Sequence, residues 1–285
     1  MIKVQIPADV AKTAEKNYIE NYLAITKDTG KLFLFAGDHK IEHLNKDFYG
    51  ENIPAEVNDP EHLFKIASKG KIGAFVSHLG LISLYGQDYP DINYIVKVNA
   101  KTDIVPAEEM DPFSGQLWTI EDVLDMQKNS GLKIRGVGYT VYLGSEYESE
   151  MLSQASHLIY QAHHAGLIAI LWMYPRGKSV SKEIDANLTA GAAGVAAALG
   201  ADFTKLMPPK TPKCLKQAVG AAGKTKIICS GGPKKDPHAF LQEIQHYIQI
   251  GGAYGVAVGR NIYQNTLEDA VKLTEKIYSL VYTGH

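Results

Sequence analysis

Short apolar runs alternate with longer segments of helical spacing along almost the whole chain. The runs read LFLFAGDH (32–39), GAFVSHLG (73–80), NYIVKVNAK (93–101) and IRGVGYTVYLG (134–144), then LIAILWMYPRG (167–177), ADFTKLMPP (201–209), TKIICSGGP (225–233) and AYGVAVGRN (253–261). Most are rich in β-branched and aromatic residues and end near Gly, Pro or Asn, as strands do. Several are apolar on both parities, the reading of a parallel strand covered by helices. Between them, DPEHLFKIASKG (59–70) predicts a helix with Asp59 as N-cap, Pro60 at its first position and Gly70 as its stop. SEYESEMLSQASHLIYQAHHAG (145–166) carries acidic residues in its first turn and ends in glycine, which suits the helix dipole and the C-cap. EIDANLTAGAAGVAAALG (183–200), DPHAFLQEIQHYIQIGG (236–252) and NTLEDAVKLTEKIYSLV (265–281) supply three more helices. Residues 8–28 predict an extra helix ahead of the first strand, placed to close the bottom of a barrel or to meet a neighbouring subunit.

Eight strands with interleaved helices predict one α/β domain over residues 1–285, a (β/α)8 barrel with an extra N-terminal helix. An open, doubly wound sheet is the alternative. Two stretches read as irregular: HLNKDFYGENIPAEVN (43–58) after the first strand and TDIVPAEEMDPFSGQLW (102–118) after the third. Both follow strand C-termini, where long loops carry function more often than not.

Composition narrows the function. The 285 residues include 29 basic and 31 acidic side chains, a net charge of −2, without the basic excess of a nucleic-acid binder. No apolar run approaches the ~18 residues of a membrane span, and MIKVQIPADVAKTAEKN lacks the apolar core of a signal peptide. Two cysteines, Cys214 and Cys229, make neither a disulfide framework nor a thiolate zinc site. These features predict a cytoplasmic protein with no nucleic-acid or membrane partner.

In a barrel of this kind the chemistry sits at strand C-termini. The polar residues there are Asp38 and His39 after the first strand, Lys97, Asn99 and Lys101 on the third, and Trp172, Tyr174 and Arg176 on the fifth. Lys205 on the sixth, Ser230-Gly231-Gly232 after the seventh and Gly259-Arg260 after the eighth complete the set. Lys205 is the most informative. It lies inside ADFTKLM with Phe203 and Met207 on its own face, and a buried lysine has a depressed pKa and an amine free to form a Schiff base with a ketone. A lysine snorkelling from a strand end, or paired with Asp202, is the structural alternative. Tyr174 and Trp172 share a face, so Tyr174 becomes a candidate proton relay near the lysine, or one of an aromatic pair lining the mouth. Asp38 is a base, an orienting group for a substrate hydroxyl, or a cap for the loop that follows. The glycines of SGGP and the guanidinium of Arg260 make a phosphate site at the two loops where barrels often bind phosphate, or ordinary turns. HKIEH lacks the HExxH order and reads as a loop, so no metal site is expected.

DHKIEH, LWMYPRGK, GADFTKL, CSGGPK and GVAVGRNIYQ, in this order, resemble the archaeal-type class I fructose-1,6-bisphosphate aldolases of the DeoC/FbaB aldolase family. The likeness runs from about residue 32 to 265. Relatives of that family include the 2-amino-3,7-dideoxy-D-threo-hept-6-ulosonate synthases. The resemblance implies a metal- and cofactor-free lyase of glycolysis or gluconeogenesis. It puts the Schiff-base lysine at Lys205, the proton-transferring tyrosine at Tyr174 and the aspartate of the DH motif at Asp38. It also puts the phosphate-binding residues at Ser230, Gly231, Gly232, Gly259 and Arg260, and Trp172 matches the aldolase branch; His39, Arg176 and Lys101 are read beside them as further substrate contacts. It implies a homo-oligomer, a stacked ring such as a decamer. DHKIEH departs from the more usual DHGIEH, and the loop 102–118 reads as longer than in compact members. Lys40, Lys97, Lys101 and Arg176 are the candidate cations for a second phosphate. The alternatives are a related Schiff-base aldolase or transaldolase, such as the heptulosonate synthase, and a non-catalytic sugar-phosphate-binding barrel.

Overall fold

Eight parallel strands close on themselves in the computed structural model, which describes residues 2–180 and 185–284. They are β1 (Leu32–Ala36), β2 (Ala74–His78), β3 (Tyr94–Lys97), β4 (Ile134–Leu143), β5 (Ile168–Pro175), β6 (Phe203–Leu206), β7 (Lys226–Ser230) and β8 (Gly255–Val258). Each pairs with the next, and β1 pairs with β8 through Leu32–Gly255 to Phe35–Val258. The expected (β/α)8 barrel is therefore present, and the open-sheet alternative is overturned by the β1–β8 ladder.

Strand parity sorts the apolar side chains into two cores. Leu34, Ala36, Val76, Ile95, Ile170, Phe203, Ile228 and Ala257 fill the lumen. Phe33, Phe35, Phe75, Val137, Leu171 and Leu206 point outward and pack under the helices. The helix Glu15–Thr26 belongs to the first core: Tyr18, Tyr22 and Ile25 cover the lumen floor, with Tyr22 stacked 5.8 Å from Phe203. This is the barrel-closing placement expected of the segment 8–28, whose first turn, Lys12–Ala14, is a 3-10 helix. The floor is also tied by charge. His163 Nδ1 lies 3.0 Å from Asp9 and its Nε2 3.1 Å from Asp202 Oδ2, and the Tyr18 hydroxyl donates to Asp202 Oδ1.

Several boundaries differ from expectation. β1 stops at Ala36, and His39–Glu42 is a short helix, so HKIEH lies on a helical turn rather than in a loop. β2 stops at His78, where the helix Leu79–Tyr85 starts at once. β3 stops at Lys97; Asn99–Ala100 leaves the barrel to pair antiparallel with Gly115–Gln116, so Asn99 and Lys101 are not on the third barrel strand. Helices at Ile120–Ser130 and Pro212–Ala222 complete the shell. The expected helices are Glu61–Lys69, Glu148–His164, Ala186–Leu199, Pro237–Gln249 and Leu267–Tyr278. Glu183 and Ile184, at the start of one expected helix, lie outside the described residues. Among the described residues no helix is long and apolar enough to cross a membrane.

Candidate active site

The lumen changes character at the C-terminal ends of the strands, where apolar residues give way to lysines, carboxylates and aromatic rings. On β6, Phe203 faces inward at the floor, and Lys205, two positions on, therefore faces inward nearer the mouth. Lys205 is only 4% exposed, and its Nζ stands 5.3 Å from the centre of the Trp172 ring. Lys97 Nζ lies 5.5 Å from a ring centre of the same indole and donates to the Asn99 carbonyl at 2.9 Å. Space for the indole and the Lys97 stem comes from Gly138 on β4. A Cβ there would sit 2.4 Å from Trp172 Cζ3 and 3.4 Å from Lys97 Cδ.

Asp38, the residue after the β1 turn, is buried among these cations, and its Oδ1 has no hydrogen-bond partner. Burial opposes its charge, but Lys205, His39, Lys97 and His78 more than offset that and hold the carboxyl well below the usual range. Burial pushes the Lys205 amine down, Asp38 and Glu42 pull it back, and Lys97 and Arg260 push it down further; the net result is below the ordinary value. Tyr174 is held far up by burial and by the charges of Glu42 and Asp38, so it stays a phenol. His39 is lowered to about 4 by burial, against Asp38, and is neutral at pH 7. The arrangement combines a lysine biased toward the free amine, a fixed carboxylate and a fixed phenol.

Glu42 was absent from the candidates, yet it belongs here. It accepts a hydrogen bond from Tyr142 at 2.9 Å, and its charge acts on Lys205, Lys97 and Tyr174. Read as a loop, HKIEH hid it; one helical turn brings Glu42 back over the mouth. Arg176 lies over the rings of Tyr142 and Tyr174, at 5.4 and 5.7 Å. With Lys46, Lys101 and Lys178 it lines a cleft of about 520 Å³ beside the mouth. Lys101 is close to Asp103, at 3.7 Å. Of the other two cations considered for a distal phosphate, Lys97 is turned into the barrel, and Lys40 donates to the Asn58 carbonyl beneath the Phe48 ring.

The loops after β7 and β8 lie side by side. The Gly231 N–H donates to Ala257 O at 3.0 Å, extending the ladder, so the two amide donors expected of Gly231 and Gly232 reduce to that of Gly232. Ser230 is half-buried at the same edge. Gly259 makes room for His39, since a Cβ would lie 2.5 Å from His39 Cε1. Arg260 follows it, with a buried Nε that has no hydrogen-bond partner. Asn261, also missed, joins the two loops: its Nδ2 donates to Gly231 O and Pro233 O at 3.0 Å, and its Oδ1 accepts from the Lys235 amide at 2.9 Å. Buried polar atoms are normally paired. Asp38 Oδ1, His39 Nδ1, Trp172 Nε1 and Arg260 Nε have no hydrogen-bond partner, although His39 Nδ1 lies 3.9 Å from Asp38 Oδ1 and Arg260 Nε lies 3.7 Å from Asp47 Oδ2. Among the described residues no cluster of three or more His, Cys, Asp or Glu could hold a metal ion.

This geometry has close counterparts. Residues 32–265 match the family model described as DeoC/LacD family aldolase. The chain is 52% identical over 284 residues to a fructose-bisphosphate aldolase/6-deoxy-5-ketofructose 1-phosphate synthase of Methanocaldococcus jannaschii, covering 99% of this chain and 91% of that one. It is 33% identical to a class 1 fructose-bisphosphate aldolase of Thermoproteus tenax, over 94% of this chain and 96% of that one. Among solved structures, a fructose-bisphosphate aldolase from Slackia heliotrinireducens superposes with a TM-score of 0.97 at 49% identity, covering 99% of this chain and 91% of that one. A Schiff-base-forming fructose-1,6-bisphosphate aldolase superposes at 0.80 with 31% identity, over 93% of this chain and all of the other. The chain belongs to the DeoC/LacD family of aldolases and is a lyase.

Proposed function

We propose that this aldolase is a class I fructose-bisphosphate aldolase that cleaves fructose 1,6-bisphosphate reversibly to dihydroxyacetone phosphate and glyceraldehyde 3-phosphate. The observation that carries the reading is Lys205: a lysine buried at the mouth of the barrel, its amine biased toward the neutral form. The free amine adds to the C2 ketone, and loss of water from the carbinolamine leaves an iminium that accepts the electron pair of the C3–C4 bond. Asp38, which stays ionised, takes the C4 hydroxyl proton as that bond breaks and the aldehyde leaves. Tyr174 then gives its proton to C3 of the enamine and regains one from Asp38, which closes the proton count. Water hydrolyses the iminium and frees dihydroxyacetone phosphate. Ser230, Gly232, Gly259 and Arg260 hold the C1 phosphate, so the ketone is aligned with the amine before reaction. Trp172 and His39 flank the carbon chain, and Arg176 and Lys101 face the distal phosphate.

A second reading is favoured by the two-part name of the relative at 52% identity: 6-deoxy-5-ketofructose 1-phosphate is formed or cleaved at the same lysine. That sugar has no phosphate at its far end, so the cleft lined by Arg176, Lys101, Lys46 and Lys178 distinguishes the two. The test is borohydride trapping with dihydroxyacetone phosphate in the presence of a chelator, followed by peptide mass mapping. An adduct on Lys205 is expected, and its absence with ligand still bound sinks the catalytic reading and leaves a sugar-phosphate-binding barrel. The cleavage rates of the two sugars then rank the two readings.

A further inference from the structure

The segment between β1 and β2 reaches across to the phosphate cradle through one buried carboxylate. Asp47 Oδ2 is hydrogen-bonded to His43 Nδ1, accepts from the Tyr263 hydroxyl at 3.4 Å, and lies 3.7 Å from Arg260 Nε. Its main-chain carbonyl accepts from Gln264 Nε2 at 2.9 Å. Beside it, fully buried Phe48 stacks flat on Tyr263 at 4.9 Å with the planes 5° apart. Asp47 is therefore held from three sides while it faces the guanidinium. A guanidinium is a rigid planar fork. A carboxylate fixed opposite Nε settles the rotation of the fork and leaves the Nη edge for a second anion. The same segment carries Asp38, His39 and Glu42 at its start.

We infer that Asp47 is a positioning residue for the donor phosphate, orienting Arg260 and coupling the cradle to the segment that bears Asp38 and Glu42. The inference rests on the aldolase reading above and deepens it. It accounts for a carboxylate placed beside a site meant for an anion: the repulsion is outweighed by the pre-orientation of Arg260, and His43 and Tyr263 spread its charge.

The test uses the full chain with Asp47→Asn and the rescue variant Asp47→Glu. Three quantities are read: KM and kcat for fructose 1,6-bisphosphate, inorganic phosphate affinity by titration calorimetry, and borohydride trapping with dihydroxyacetone phosphate against unphosphorylated dihydroxyacetone. Loss of one charge-assisted contact to Arg260 predicts a rise of about tenfold in KM and in the phosphate dissociation constant. The fall in kcat is expected to be much smaller, the loss of trapping greater for the phosphorylated ketone, and Asp47→Glu to recover part of it. Equal losses for both ketones would reduce Asp47 to a fold staple and overturn the inference, as would unchanged phosphate binding. Wild-type protein that traps neither ketone would overturn the aldolase reading instead, and the phosphate titration would still decide the role of Asp47.

Discussion

Gly138 shows how one missing side chain composes the site. Its absent Cβ is the space in which the Trp172 indole and the Lys97 stem lie side by side. Gly138→Ala is expected to displace the indole from beside Lys205, lowering kcat/KM at least tenfold, while the added methyl costs about 1–3 kcal/mol by overpacking. Unchanged turnover with unchanged tryptophan fluorescence would refute this. Residues of this kind were hard to read in the sequence. Lys205 was legible because a lone lysine in a four-residue apolar strand contradicts its surroundings, and Tyr174 and Trp172 followed from parity. Glu42 and Asn261 carried no such contradiction, since a glutamate before a histidine and an asparagine after an arginine are ordinary neighbours. Their roles come from contacts across 100 residues, in the bond of Tyr142 to Glu42, and across 30, in the bond of Asn261 to Gly231.

Among elements, the strands were legible and their ends were not. An apolar run marks where a strand lies, but β1, β2 and β3 each stop short of the run's end because a helical turn or the Asn99–Gln116 ribbon takes over the next residues. The helix Ile120–Ser130 has a full capping box from Thr119 and Asp122, a local signal that its mixed apolar pattern obscured. Pairing of the loops after β7 and β8 is likewise a property of elements rather than residues. Asn261→Ala removes the only side chain that bonds both Gly231 and Pro233 among the described hydrogen bonds. It strands two carbonyls and the Lys235 amide, and is expected to cost about 1–3 kcal/mol. Inorganic phosphate should inhibit this variant less than wild type; equal inhibition would mean that the loops hold their positions without the bridge.

At the scale of the whole molecule, the floor of the barrel makes stability depend on pH. His163 is raised to about 9: burial works against its charge, but Asp202 and Asp9 on either side outweigh burial. A histidine whose folded pKa is raised contributes fully below its unfolded value near 6.5, and the contribution is lost as pH rises toward 9. The whole effect is of order 3 kcal/mol. Urea melts at pH 6 and pH 9.5 should show the wild type losing more stability than His163→Gln. Parallel losses would mean that the imidazolium contributes nothing.

The floor formed by Tyr18, Tyr22 and Phe203 has a kinetic consequence as well. A vessel sealed at its base has a single doorway, and traffic through it follows a queue. In the proposed reaction the fragment tethered to Lys205 stays inside, so its untethered partner departs first, and in the synthetic direction the tethered fragment enters first. The tether sets the order of events, and the closed floor leaves both fragments to pass by the mouth.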